Sequence, residues 1–195
     1  MSLLNWISPF APADGAPPKT IVSFMRWALR GSYPAIVGGS AVSVISGLIE
    51  VASALMLGMV IDAALAGSTT GFFAENAGLI IGVSVFFLLF RPIWLGLSGV
   101  MQSVIIGPAI STLILSRLHR YTLGQSVTFF DDDFAGRISQ KQMQAASALT
   151  NLVVEFVHTV VFALSSVMGS LILVLTLDWR AGLALGLWFA GYVIF

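Results

Sequence analysis

The sequence predicts an all-α, polytopic membrane protein, and three observations carry that prediction. Of the 195 residues, 57% are hydrophobic and 9% are charged, against roughly 25% charged in soluble domains. Two uncharged stretches, Pro92 to Ser116 and Phe156 to Leu177, each exceed the roughly 20 residues that cross a bilayer as a helix. The apolar runs are continuous rather than alternating, which selects helices over a barrel. A formal net charge of zero argues against a nucleic acid partner. Cysteine is absent, which excludes disulfides and thiolate metal sites.

Residues 1–19 hold Pro9, Pro12, Pro17 and Pro18, and their first basic residue is Lys19; without an early positive charge this is no secretory signal, and it reads as a flexible cytoplasmic tail. Thr20 is placed to cap a short helix in which Ile21, Phe24, Met25 and Ala28 share a face, with Arg26 and Arg30 as cationic anchors. Such a helix lies along the membrane interface, and Gly31 and Pro34 break it from the first membrane span. That span covers about 33–65, roughly 50 Å of helix and longer than the hydrocarbon core. Gly39, Ser43 and Gly47 recur every four residues along it and allow another helix to approach closely. A loop without basic residues, Ala66 to Asn76, leads to a second span at about 77–116. With its polar continuation to Leu123 this helix measures roughly 70 Å, with Gly107 and Pro108 as a candidate kink. A polar block at about 117–148 precedes a third span at about 149–177. A fourth begins after the turn at Asp178, Trp179 and Arg180, covers about 181–195, and reads as incomplete because the chain stops inside an apolar run.

Orientation is set by the basic residues. Lys19, Arg26, Arg30, Arg117, Arg120, Arg137 and Lys141 fall on one side, whereas the opposite loops hold only Arg180. Short cytoplasmic loops are basic, so the N-terminus and the polar block are placed inside; the expected location is the plasma (inner) membrane. Trp27 and Tyr33 at one boundary and Trp179 at the other suit the interfacial aromatic belts.

Within the spans, Glu50 and Arg91 fall at nearly equal depths, roughly 22 and 20 Å below the outer boundary when helix rise is applied. An unpaired charge at mid-membrane costs about 2.5 to 3.5 kcal/mol on insertion scales, so the two are expected to form an ion pair. Its first reading is a structural clamp; its second is substrate or proton handling. Glu155 and His158 stand three apart on one helical face, as an interfacial pair or a proton relay. His119 and His158 are too far apart to suggest a metal site, and Asp131, Asp132 and Asp133 read better as acidic caps of the helix starting near Phe134 than as cation ligands.

The polar block carries a resemblance. A long helix ending in Arg117 and Arg120, then SVTFFDDDFAGRIS with Phe129, Phe130 and Gly136, then another long helix, resembles the first intracellular loop of exporter-type ABC transporters. The LGMVIDAAL run with Gly58 and Asp62, and the DWR turn, resemble the same family, so the likeness covers roughly 20–195. Ala145 and Ala54 stand where the family commonly has an acidic residue and a proline. The resemblance implies an interfacial elbow helix, three full spans, part of a fourth and long cytoplasmic helix extensions. It further implies a homodimer or heterodimer, and a coupling helix at Ser126 to Gly136 that contacts a nucleotide-binding domain. Phe129, Phe130, Asp131 and Gly136 are its contact residues, with Phe129 and Phe130 as apolar anchors. ATP and Mg are implied for the whole transporter, but no GxxxxGK[ST] phosphate loop exists here, so no catalytic site is assigned to this chain. The rival readings are a small secondary carrier or channel using Glu50, Arg91, Glu155 and His158, and a membrane adaptor without transport activity.

Overall fold

Two residues set the sharpest breaks between helices. Gly31 has φ +92, a left-handed backbone that glycine reaches without a Cβ penalty, and it turns the chain from α1 (Ile21–Leu29) into α2 (Tyr33–Ala66). Buried Ser32 completes the turn by donating its hydroxyl to the Leu29 carbonyl at 2.7 Å. Pro34 falls in the first turn of α2, where its missing N–H costs nothing. At the other end of the chain Asp178 alone interrupts helix, with φ −147 and ψ 112. Its carboxylate accepts from the Arg180 N–H at 2.8 Å and so caps the helix that starts at Trp179.

In this computed structural model, residues 7–13, 15–66, 72–131 and 135–194 are described. Besides α1 and α2 they form α3 (Phe72–Glu75), α4 (Ala77–Leu123), α5 (Val127–Asp131), α6 (Gly136–Leu177) and α7 (Trp179–Ile194). Helices α2, α4 and α6, of 34, 47 and 42 residues, are long and apolar enough to cross a membrane. The chain is therefore all-α and multi-pass. Apolar side chains along α4 such as Leu88, Ile93, Leu97 and Val104 are exposed, which suits lipid and would be costly in water.

Helix α4 does not break at Pro108. Backbone bonding widens to π-helical over Met101–Ile106, where the Gly107 N–H reaches back five residues to the Gln102 carbonyl. The same happens over Phe86–Phe90, with the Arg91 N–H bonded to the Phe86 carbonyl, directly before Pro92. Proline lacks a donor and crowds the carbonyl four residues back; a wide turn ahead of it relieves both and keeps the helix continuous. A third π-helical turn, Phe156–Val160 in α6, has no proline after it, and nothing in its sequence explains it.

The described residues fall into two units. The first comprises Met1–Ala41 and Gly99–Thr159. Its core is Ile110, Leu113 and Ile114 from α4, Ala146, Leu149, Val153 and Val157 from α6, and Ala28 and Leu29 from α1. The spacings 110, 113, 114, 117 and 146, 149, 153, 157 are those of one helix face. On α1, Phe24 and Met25 pack with Ala28 and Leu29, whereas Ile21 is 78% exposed, so the buried face is rotated from the expected one. Thr20 stands at the N-cap but its hydroxyl makes no capping bond; its carbonyl accepts from the Phe24 N–H at 2.8 Å. Where the sequence predicts a flexible tail, Ile7 is buried and the Pro9 carbonyl accepts from the Ser116 hydroxyl at 2.8 Å.

The second unit comprises Val42–Ser98 and Val160–Phe195. Here α2 and α6 meet through glycines on both sides. A Cβ on Gly47 would lie 2.9 Å from the Phe162 carbonyl and the Ser166 nitrogen, and one on Gly169 would lie 2.9 Å from Val51 Cγ2. Gly182 of α7 packs as closely on Leu175 of α6. Trp94 on α4 donates its indole N–H to Ser46 of α2 at 2.9 Å. Glycine at these crossings lets backbones approach where lipid offers no hydrophobic drive for association.

Candidate functional site

The polar extensions of α4 and α6 are tied together within the first unit, where Gln142 Nε2 donates to Thr122 Oγ1. Gly124 ends α4 with its N–H on the Tyr121 carbonyl at 3.2 Å, and Gln125 continues with a bond to Thr122 at 3.0 Å. Helix α5 then starts, with the Phe129 N–H on the Ser126 carbonyl at 3.1 Å. Its two aromatic residues pack edge to face, centroids 5.4 Å apart at 89°. Both remain accessible, Phe129 at 41% and Phe130 at 37%. A five-residue helix with adjacent exposed phenylalanines has no core of its own. Asp131 closes α5; its side chain, and Asp132, Asp133 and the expected cap at Phe134, lie outside the described residues. Gly136 is exposed, and a Cβ there would meet nothing within 4 Å.

In the second unit, Arg91 Nη2 donates to Glu50 Oε2 at 2.7 Å. The guanidinium also lies 5.7 Å from the centre of the Phe87 ring, a cation over an aromatic face. This ion pair joins α2 to α4 within apolar spans. Reversing either charge leaves two like charges together. In full-length protein we expect Glu50→Arg or Arg91→Glu to cut the folded yield in detergent several-fold, and the double swap to restore at least half of it, given the insertion cost of about 2.5 to 3.5 kcal/mol per unpaired charge. A double swap no better than the single variants would show that the pair contributes nothing.

Glu155 and His158 are not brought together. Glu155 Oε1 accepts instead from the Thr159 hydroxyl at 2.7 Å. The π-helical turn Phe156–Val160 begins directly after Glu155, and its wider winding aligns residues four apart rather than three. Among the described residues no group of three or more His, Cys, Asp or Glu could hold a metal ion.

Arg117 has a role that charge counting did not reveal. It is 5% exposed, and its guanidinium donates Nη1 to the Trp27 and Ala28 carbonyls, each at 2.9 Å, and Nη2 to the Arg30 carbonyl at 2.7 Å. These belong to the C-terminal turn of α1, whose carbonyls have no partner within the helix and form its negative end. Nε donates to the Ala11 carbonyl at 3.1 Å. One planar cation thus fastens the N-terminal segment, the interfacial helix and α4 to each other.

Comparison with known proteins agrees with this architecture. Residues 37–195 match the family model of the ABC transporter transmembrane region. An uncharacterized ABC transporter ATP-binding protein of Haemophilus influenzae is 25% identical over 175 residues, which is 89% of this chain. The chain spans 28% of that relative's length. No solved structure matches it. With the family model covering most of α2 and every helix after it, this chain belongs to the ABC transporter transmembrane region family.

Proposed function

We propose that this chain supplies pathway walls and one coupling element to an ATP-driven exporter, and that α5 is the surface on which a nucleotide-binding domain docks. The observation that carries the proposal is the placement of exposed Phe129 and Phe130 on a short helix between two helices of 47 and 42 residues. Each long helix exceeds the roughly 30 Å hydrocarbon core, so a push on α5 is delivered along continuous backbone into the bilayer. The N-terminus and α5 face the cytoplasm of the plasma (inner) membrane, in keeping with the basic residues gathered there. ATP and Mg are held outside these residues, which include no phosphate loop. When bound there they supply the closure of the nucleotide-binding domains. This chain's part is to receive that motion at Phe129 and Phe130 and to rock between inward-open and outward-open states, paired with a second transmembrane domain as a homodimer or heterodimer.

The test is made in full-length protein reconstituted in vesicles. Phe129→Ser with Phe130→Ser should leave basal ATP hydrolysis within about twofold and lower transport per ATP by tenfold or more, the loss expected when two buried aromatic anchors of an interface are removed. Unchanged transport per ATP would overturn the assignment of α5.

A further inference from the structure

We propose that the recess between the N-terminal segment, α4 and α6 in the first unit binds an anionic phospholipid, with its phosphate on Arg120 and His119. The open recess has a volume of about 520 Å³, in the range of small-molecule pockets, so it takes the headgroup end of a lipid rather than the whole molecule. Phe10, Leu115, Leu123 and Met143 give it apolar walls, His119 and Arg120 are its ionisable groups, and none of its lining residues is acidic. That combination complements an amphiphile with a negative head.

Two further observations choose a membrane lipid as that amphiphile. The first is depth. Arg117 binds the carbonyl end of α1, a helix whose Ile21 and Val22 are exposed beside exposed Arg26; such a helix lies at the membrane–water boundary. His119 and Arg120 are therefore at headgroup level, and Leu115 lies at the end of the apolar run of α4, where an acyl chain would follow it. The second is the contrast between two arginines three residues apart. Arg117 is committed to backbone carbonyls through all its nitrogens, whereas Arg120 is exposed and makes one long bond, 3.4 Å, to the Phe10 carbonyl. A guanidinium so held is positioned but not saturated, and it pairs with phosphate in a fork geometry. Basic pockets of this kind beside membrane helices take lipid headgroups.

The test uses full-length protein in vesicles of phosphatidylcholine, with or without phosphatidylglycerol. The chain contains no cysteine, so Ser139→Cys, on the wall of the recess, is its one reporter for a water-soluble maleimide, with any cysteine elsewhere in the protein replaced. We expect labelling about fivefold slower with phosphatidylglycerol present, the factor that about 1 kcal/mol from one arginine near an anionic headgroup gives. Arg120→Gln with His119→Gln should abolish that protection, and Arg180→Gln should keep it. A second reporter, Ala146→Cys, is buried at 2% and stays unlabelled while the unit is folded, which separates loss of lipid from unfolding. Equal rates in both lipids, protection that survives the double variant, or protection in phosphatidylcholine alone would overturn the proposal, the last by showing that a protein segment covers the recess. Protection by inorganic phosphate in phosphatidylcholine vesicles would overturn it in favour of a free anion.

Discussion

Replacing Arg117 by methionine is expected to release α1 from α4, raising amide hydrogen exchange over Ile21–Leu29 by about 100-fold or more in full-length protein. The size of the effect rests on what the substitution removes. Methionine keeps much of the stem's apolar contact but donates nothing, so the Ala11, Trp27, Ala28 and Arg30 carbonyls lose a charged partner together. Bonds to a charged group contribute about 1.5 to 3 kcal/mol each. Bonds sharing one side chain do not add, and carbonyls left unpartnered, at about 1 to 3 kcal/mol for each that stays buried, place the total at roughly 3 to 5 kcal/mol. At 1.4 kcal/mol per factor of ten, the lower figure already gives about 100-fold. Arg117→Lys should fall between, because an ammonium carries its donors at one point and cannot span four carbonyls spread over two segments. Exchange in α1 that is unchanged in the methionine variant would mean that core packing of Ala28 and Leu29 holds the helix without the guanidinium.

The same residue marks where sequence reasoning stops. Long apolar runs make α2, α4 and α6 legible as helices of membrane length, since length and composition are local properties. The approach of Glu50 and Arg91 is legible too, because depth comes from counting rise along antiparallel helices. Arg117 is readable only as a topogenic charge. Its partners are backbone carbonyls, which every residue has, so no side-chain pattern points to them. The prolines around Pro9 suggest flexibility, yet proline removes only a donor; its carbonyls still accept, and that of Pro9 does. Glu155 and His158 part for a geometric reason, since a 3.6-residue winding is the default expectation and the helix there is π-helical. Before Pro92 and Pro108 the wide turns could have been anticipated, since a helix that must stay continuous in lipid has few other ways to absorb a proline.

Two glycines of α2 are expected to respond in opposite directions to the same added methyl group. At Gly47 the new Cβ of alanine would sit 2.9 Å from a carbonyl oxygen and an amide nitrogen of α6, and closer still to the Ser165 side chain. Backbone cannot swing aside as a flexible side chain can, so the helices must separate. That separation also loosens the reciprocal contact of Gly169 with Leu48 and Val51 on the same face. Overpacking typically costs 1 to 3 kcal/mol, and contact with backbone from two residues places Gly47→Ala at about 3 kcal/mol. At Gly58 a Cβ meets nothing within 4 Å, and replacing a mid-helix glycine by alanine gains about 0.5 to 1 kcal/mol of helix preference. Thermal unfolding of the two full-length variants in the same detergent should therefore move the midpoint down for Gly47→Ala and leave it level or slightly raised for Gly58→Ala. Equal shifts would show that α2 does not meet α6 at Gly47. A drop at Gly58 alone would place a further helix against the outer half of α2, at the glycine of the LGMVIDAAL run. In that case the small residue at position 58 serves packing within the assembled transporter rather than within this chain, and Gly58→Ala would weaken assembly while hydrogen exchange of α2 in the unassembled chain stayed the same.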